Sequence, residues 1–167
     1  PFNLIVHQVA PAIAAGCPVI VKPSLRTPLS CRNLVNILRE AGLPDGWCQK
    51  ILCEDKVTES LVRRPGLAFL SFIGSAKVGW YLRSLLPPGA DCALEHGGVA
   101  PVIVDKTASL SALIPKLLKG GFYHAGQVCV SVQKVLVQHD LLEELLDCLV
   151  PAVKNLKVGD PCLKETE

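Results

Sequence analysis

Short runs of β-branched residues alternate along this chain with stretches of helical periodicity, and that alternation restricts the fold more than any other feature. Strands joined through helices pair in parallel, so the pattern predicts an α/β protein, a Rossmann-like parallel sheet with flanking helices. The first helix is expected over residues 4–16, where Gly16 can end it, and "CPVIVKP" (17–23) reads as a buried strand. In the next helix Thr27 can cap, Pro28 suits the first turn, Leu34, Leu38 and Ala41 keep one apolar face, and Gly42 with Pro44 stops the run.

Further strands are expected at residues 47–53 and 67–74, with the short helix "KVTESLVRR" between them. A helix from Ser75 runs to Pro87 and Pro88. Residues 91–98, "DCALEHGG", read as a strand entering a glycine corner, and those two glycines suggest a domain hinge. The pattern restarts with a strand at 100–105, a helix from Ala108 toward Tyr123, a strand at 133–138 and the amphipathic helix "DLLEELLDCLVPAVKNL".

Half of the 167 residues are hydrophobic and 19% are charged, enough apolar surface for a real core. The net charge of +2 is spread without a basic run and aromatics are 5%, which speaks against nucleic acid as a partner. Apolar runs such as "CPVIV" are far shorter than the roughly 20 residues a bilayer requires, so neither a membrane span nor a signal peptide is read here. Eight cysteines are scattered with no C-x-x-C pair, which favours a reducing, cytoplasmic setting over a disulfide framework and argues against zinc; no metal is expected. The chain has no methionine and starts at Pro1, from which a fragment is expected.

Four places can carry chemistry. In "SFIGSAKVG" a strand ending at Gly74-Ser75 opens directly into a helix, offering free N–H groups and a hydroxyl to a phosphate, or simply a capped helix. "VIVKPS" sets Lys22 at the carboxyl end of a strand, where open α/β sheets bind ligands, though many such lysines only meet solvent. "LEHGG" sets Glu95 beside two glycines that hold the chain open, so its carboxylate can serve as general base for a water or belong to an ordinary turn. In "FYHAGQVCVS" Cys129 follows a small, flexible Ala-Gly-Gln approach, as an accessible nucleophilic thiol requires.

Together, "APAIAAGCPVIVKPSLRTPL", "EAGLPDGW", "RRPGLAFLSFIGSAKVG", "LEHGG", "PVIVD", "GQVC" and "LKVGDP" resemble, in family order and over essentially the whole chain, the aldehyde dehydrogenase superfamily. The resemblance implies an aldehyde-dehydrogenase-like fold, incomplete here, with residues 1–95 as part of the NAD(P)-binding domain and 96–167 as the N-terminal part of the catalytic domain. It implies NAD or NADP as cofactor, an aldehyde as substrate, Cys129 as nucleophile and Glu95 as general base. Gly74 and Ser75 would meet the pyrophosphate, Phe72 would shape the cofactor cleft, and Lys22 would contact the adenosine ribose.

Asn3 of "PFN" receives no role, because its spacing to Lys22 is too short for the family's oxyanion asparagine. Leu25 replaces a common Glu, with Arg26 and Arg32 nearby in sequence, which keeps NADP as a candidate beside NAD; Thr58, Ile73 and His96 also depart from the usual residues. The family's later Glu-x-Phe motif is missing, so the fragment alone is expected to be inactive or nearly so and to self-associate through sheet edges, the parent protein being a homo-oligomer, dimer or tetramer. A CoA-acylating enzyme and a non-catalytic structural module are the alternatives, and Glu95 speaks against the first.

Overall fold

The computed structural model describes residues 2–167; Pro1, which opens the "PFN" tripeptide, lies outside them. The elements run α1 (Phe2–Ala14), β1 (Val19–Val21), α2 (Pro28–Glu40), β2 (Cys48–Lys50), α3 (Asp55–Val62), β3 (Phe69–Ile73), α4 (Ala76–Ser84), β4 (Asp91–Glu95), β5 (Pro101–Val104), α5 (Leu110–Phe122), β6 (Lys134–Val137) and α6 (Leu142–Lys154). Three parallel ladders form among the described residues, β1 with β2, β3 with β4 and β5 with β6. Each is a β-α-β unit, because a parallel pair needs a long crossover and α2, α4 and α5 supply it. The chain divides into two compact units, one ending at Glu95 and the other beginning at His96.

Helix ends follow the glycines. At α2 the Leu43 N–H donates to Leu38 O (3.0 Å) and the Gly42 N–H to Arg39 O (2.9 Å), a Schellman closure that requires the left-handed φ of +93° at Gly42. The end of α1 repeats it, with Cys17 N–H to Ala12 O and Gly16 N–H to Ile13 O, both 2.9 Å. The start of α2 corrects the expectation for Thr27: its side chain makes no cap bond. With ψ at 54° it leaves the extended conformation that aims a hydroxyl at the first-turn N–H groups, and its own N–H donates instead to Ser24 O at 3.1 Å.

Strand burial alternates. β1, expected to be buried, has Val19 and Val21 packed with α1 and α2 while Ile20 lies on the open face. The β5–β6 ladder behaves alike: Val102, Val104, Val135 and Val137 pack with α5 and α6, while Ile103 is 80% exposed beside its partner Leu136. In the first unit one core joins Val9, Cys31, Leu34, Val35 and Cys48, and a second joins Val62, Leu82 and Leu85. The other unit is built on Val104, Leu110, Leu117 and Leu145.

Burial, reinforced by neighbouring Cys48 and only partly offset by Lys50, pushes the Cys31 thiol up; burial likewise pushes Cys48 up against the pull of Arg39. The unfolded chain therefore releases these protons first, from about pH 8.5. Stability from the buried neutral thiols is full below that pH and falls as pH rises through the alkaline range. We predict that urea unfolding shows this alkaline loss and that Cys31→Ala combined with Cys48→Ala flattens the slope while lowering stability overall.

Candidate functional site

The β3–β4 register sets Ile73 opposite Glu95, and the Gly74 N–H donates to Glu95 O at 3.0 Å. This bond fixes the main chain of Glu95 at the carboxyl end of β4, while its side chain is exposed to water. Gly74 leads to Ser75, which caps α4 from an extended conformation (φ −73°, ψ 146°). Its Oγ accepts the Val78 N–H at 3.4 Å, a long bond that leaves the hydroxyl weakly engaged. A Cβ at Gly74 would lie 2.6 Å from the Phe72 ring, so the ring packs close against this turn and would have to shift to admit a side chain there. Phe72, Gly74, Ser75 and Glu95 are thus brought together at one ladder edge. Phe72 is also a packing residue, seated against Val62, Leu82 and Leu85.

Lys22 directly follows β1 and belongs to the other ladder of this unit. Its Nζ lies 3.8 Å from Asp55 Oδ1 at the start of α3, a partner that sequence reasoning missed. The Asp55 side chain is 95% exposed, so this pair holds Lys22 loosely.

Cys129 lies in the second unit, exposed, on the turn between α5 and β6. The approach to it runs through left-handed backbone. His124 (φ 51°, ψ 43°) and Ala125 (φ 55°, ψ 30°) are left-handed, followed by Gly126 at φ 71°. For residues with a Cβ this conformation costs about 1–2 kcal/mol each, so the surrounding structure must impose it. The Tyr123 and His124 rings meet at 4.1 Å, and the turn closes with the Ser131 N–H donating to Val128 O at 3.0 Å. Gly98, read above as holding the chain open, instead packs on this turn: a Cβ there would stand 2.8 Å from Cys129 O. Spacing in the sequence gave no signal of that contact.

A hollow of about 600 Å³ lies elsewhere in the second unit, lined by Lys106, Ser109, Leu110, Glu144 and Cys148, and includes none of these residues. Among the described residues no group of three His, Cys, Asp or Glu side chains is placed to hold a metal ion, and no helix is long and apolar enough to cross a membrane.

Two outcomes are expected. Gly74→Ala should lower stability by about 1–3 kcal/mol through overpacking, and Phe72→Leu in the same chain should return part of it, read from urea midpoints. Brief iodoacetamide treatment of the folded chain should modify Cys129 and leave Cys31 and Cys48 unmodified, as peptide mass mapping would report.

A sequence profile described as the Aldehyde dehydrogenase family matches residues 1–167. Betaine aldehyde dehydrogenase 2 of Rhizobium meliloti (strain 1021) is 36% identical over 168 residues, covering 100% of this chain and 35% of that protein. The crystal structure of aldehyde dehydrogenase 21 from Physcomitrella patens, in complex with the reaction product succinate, superposes with a TM-score of 0.90 at 38% identity, covering 99% of this chain and 35% of that one. A betaine aldehyde dehydrogenase Y450L point mutant from Staphylococcus aureus, in complex with NAD+ and with a BME-modified cysteine, gives 0.86 at 31% identity, over 96% of this chain and 32% of that one. The chain spans about a third of the length of these relatives.

Proposed function

The chain belongs to the aldehyde dehydrogenase family, and from that premise we propose that it forms part of an NAD(P)-dependent enzyme that oxidises an aldehyde to a carboxylic acid. The observation that carries this reading is Cys129: an exposed thiol on a turn approached through strained left-handed backbone, in a chain whose buried cysteines have their thiols pushed up. In the proposed reaction the Cys129 thiolate adds to the carbonyl carbon of the aldehyde, giving a thiohemiacetal. A nicotinamide dinucleotide, held by Gly74, Ser75 and Lys22, would supply the hydride acceptor for the oxidation of this adduct to a thioester. Glu95 then removes a proton from the water that opens the thioester, which releases the acid and restores the thiol.

The first unit fits the cofactor. The N–H groups opening α4 and the weakly engaged Ser75 hydroxyl suit a pyrophosphate, and the close-held Gly74 suits near approach of phosphate to backbone. Phe72 packs against that turn, and Lys22, loosely paired with Asp55, is available to ribose hydroxyls. Leu25, Arg26 and Arg32, which follow this strand in the sequence, are exposed, which supports NADP as well as NAD. The unit ending at Glu95 is read as cofactor-binding and the unit from His96 as catalytic. The full protein is read as a cytoplasmic homo-oligomer, dimer or tetramer.

The reading is tested on the full-length protein with a panel of aldehydes and either nicotinamide, in the absence of coenzyme A. NADH or NADPH should form, Cys129→Ala should abolish it, and Glu95→Gln should slow steady-state turnover about 10²–10⁴-fold while leaving a first-turnover burst. Full activity in Cys129→Ala would reject the mechanism. Turnover only with coenzyme A present would make the enzyme an acylating one. The capping use of Ser75 and the Lys22–Asp55 pair favour a second reading, a non-catalytic module, and folded protein inert toward every aldehyde would support it.

A further inference from the structure

We propose that Gly98 is a positioning residue for the Cys129 turn, acting through a backbone approach to the Cys129 carbonyl that leaves no room for a Cβ. The parallel register pairs Pro101 with Lys134, so the segments leading into β5 and β6 run side by side at the amino edge of the ladder. Gly98 lies on one and Cys129 on the other, and the Gln133 N–H donating to Val99 O at 2.9 Å extends the pairing toward them. A methyl at Gly98 would stand 2.8 Å from Cys129 O, a distance that ordinary packing does not tolerate, and the obstacle is main chain with no rotamer to change.

Strain is concentrated around the same contact. The non-glycine residues with left-handed φ among those described are Ala100, His124 and Ala125, which flank Gly98 on one segment and precede Cys129 on the other. The far side of the turn is held as closely: the Val132 N–H donates to Gly120 O at 2.9 Å, and a Cβ at Gly120 would lie 3.0 Å from Val132 Cγ2. A Cβ at Gly126 would lie 3.0 Å from Gly121 O. The turn is therefore clamped on its backbone, and Gly98 is the part of the clamp that touches the cysteine itself. Neighbouring Gly97 has nothing within 4 Å of the corresponding position, which makes it the matched control.

This inference rests on Cys129 as the nucleophile, and its test separates the two claims. Amide hydrogen exchange is measured on the chain unaltered, as Gly98→Ala and as Gly97→Ala. In the unaltered chain the Ser131, Val132 and Gln133 amides are expected to exchange as slowly as those within β6; exchange at the rate of free amides would overturn the clamp. Gly98→Ala should speed these three at least ten-fold and Gly97→Ala should leave them unchanged. In the full-length protein Gly98→Ala should lower kcat about 10²-fold, the scale of a catalytic group displaced by about 1 Å, with the nicotinamide KM unchanged. Equal exchange and equal kcat in the two variants would overturn the proposal. Faster exchange in Gly98→Ala, with no aldehyde oxidation by the unaltered protein, would support the clamp and overturn the nucleophile reading.

Discussion

Parallel strand pairing is the constraint on which the other features depend. A parallel partner can be reached only by a crossover, so every ladder carries one helix between its strands and buries one face against helices. The same geometry aligns strand ends. β3 and β4 finish on one edge, which is why Gly74 can bond to Glu95 across the ladder although a whole helix separates them in sequence. β5 and β6 begin on one edge, which is why Gly98 meets Cys129. The candidate cofactor groups thus follow from carboxyl ends of strands, and the candidate nucleophile from an amino end.

Glycine serves two physical needs in this chain, and they are easily confused. Gly16 and Gly42 are required by conformation, since each closes a helix in the left-handed region with nothing within 4 Å of its missing Cβ. Gly74 and Gly98 are required by space: neither is left-handed, and in each a Cβ would collide, with an aromatic ring in one case and a carbonyl oxygen in the other. The first kind ends an element. The second leaves room for a neighbouring group, the Phe72 ring at Gly74 and the Cys129 carbonyl at Gly98, and both examples lie beside residues proposed to act in the reaction.

The order and kind of the six strands and the six α-helices were legible in the sequence, because period and punctuation are local: Pro28 at a helix start, Gly42 at its end, the β-branched run "PVIV"; the short 3-10 turns at Tyr123–Gly126 and His139–Leu141 were not. What stayed hidden depends on contacts between distant segments. Thr27 has the right side chain for a cap but the wrong ψ, and Ile20 sits in a strand of apolar composition yet faces outward because the strand has only one covered side. The site residues could be named from motif order. The Asp55 partner of Lys22 and the Gly98 contact could not, since neither leaves a trace in spacing. Nor does composition announce that His124 and Ala125 adopt a glycine-like backbone.

The left-handed backbone at His124 and Ala125 bears on how Cys129, one of four exposed thiols, differs from the buried pair. Cys31 and Cys48 are disfavoured as thiolates by desolvation within the core that also holds their helix and strand, so their reactivity is suppressed by the packing that stabilises the fold. Cys129 lies outside the core, and a residue on an exposed turn ordinarily loses definition as it gains access. The backbone clamp resolves the conflict. Strained dihedrals and glycine contacts fix the main chain on both sides while the side chain itself stays open to solvent. An exposed thiol with an ordered backbone is what attack on a carbonyl carbon demands, because its geometric tolerance is far below the motion of a free loop.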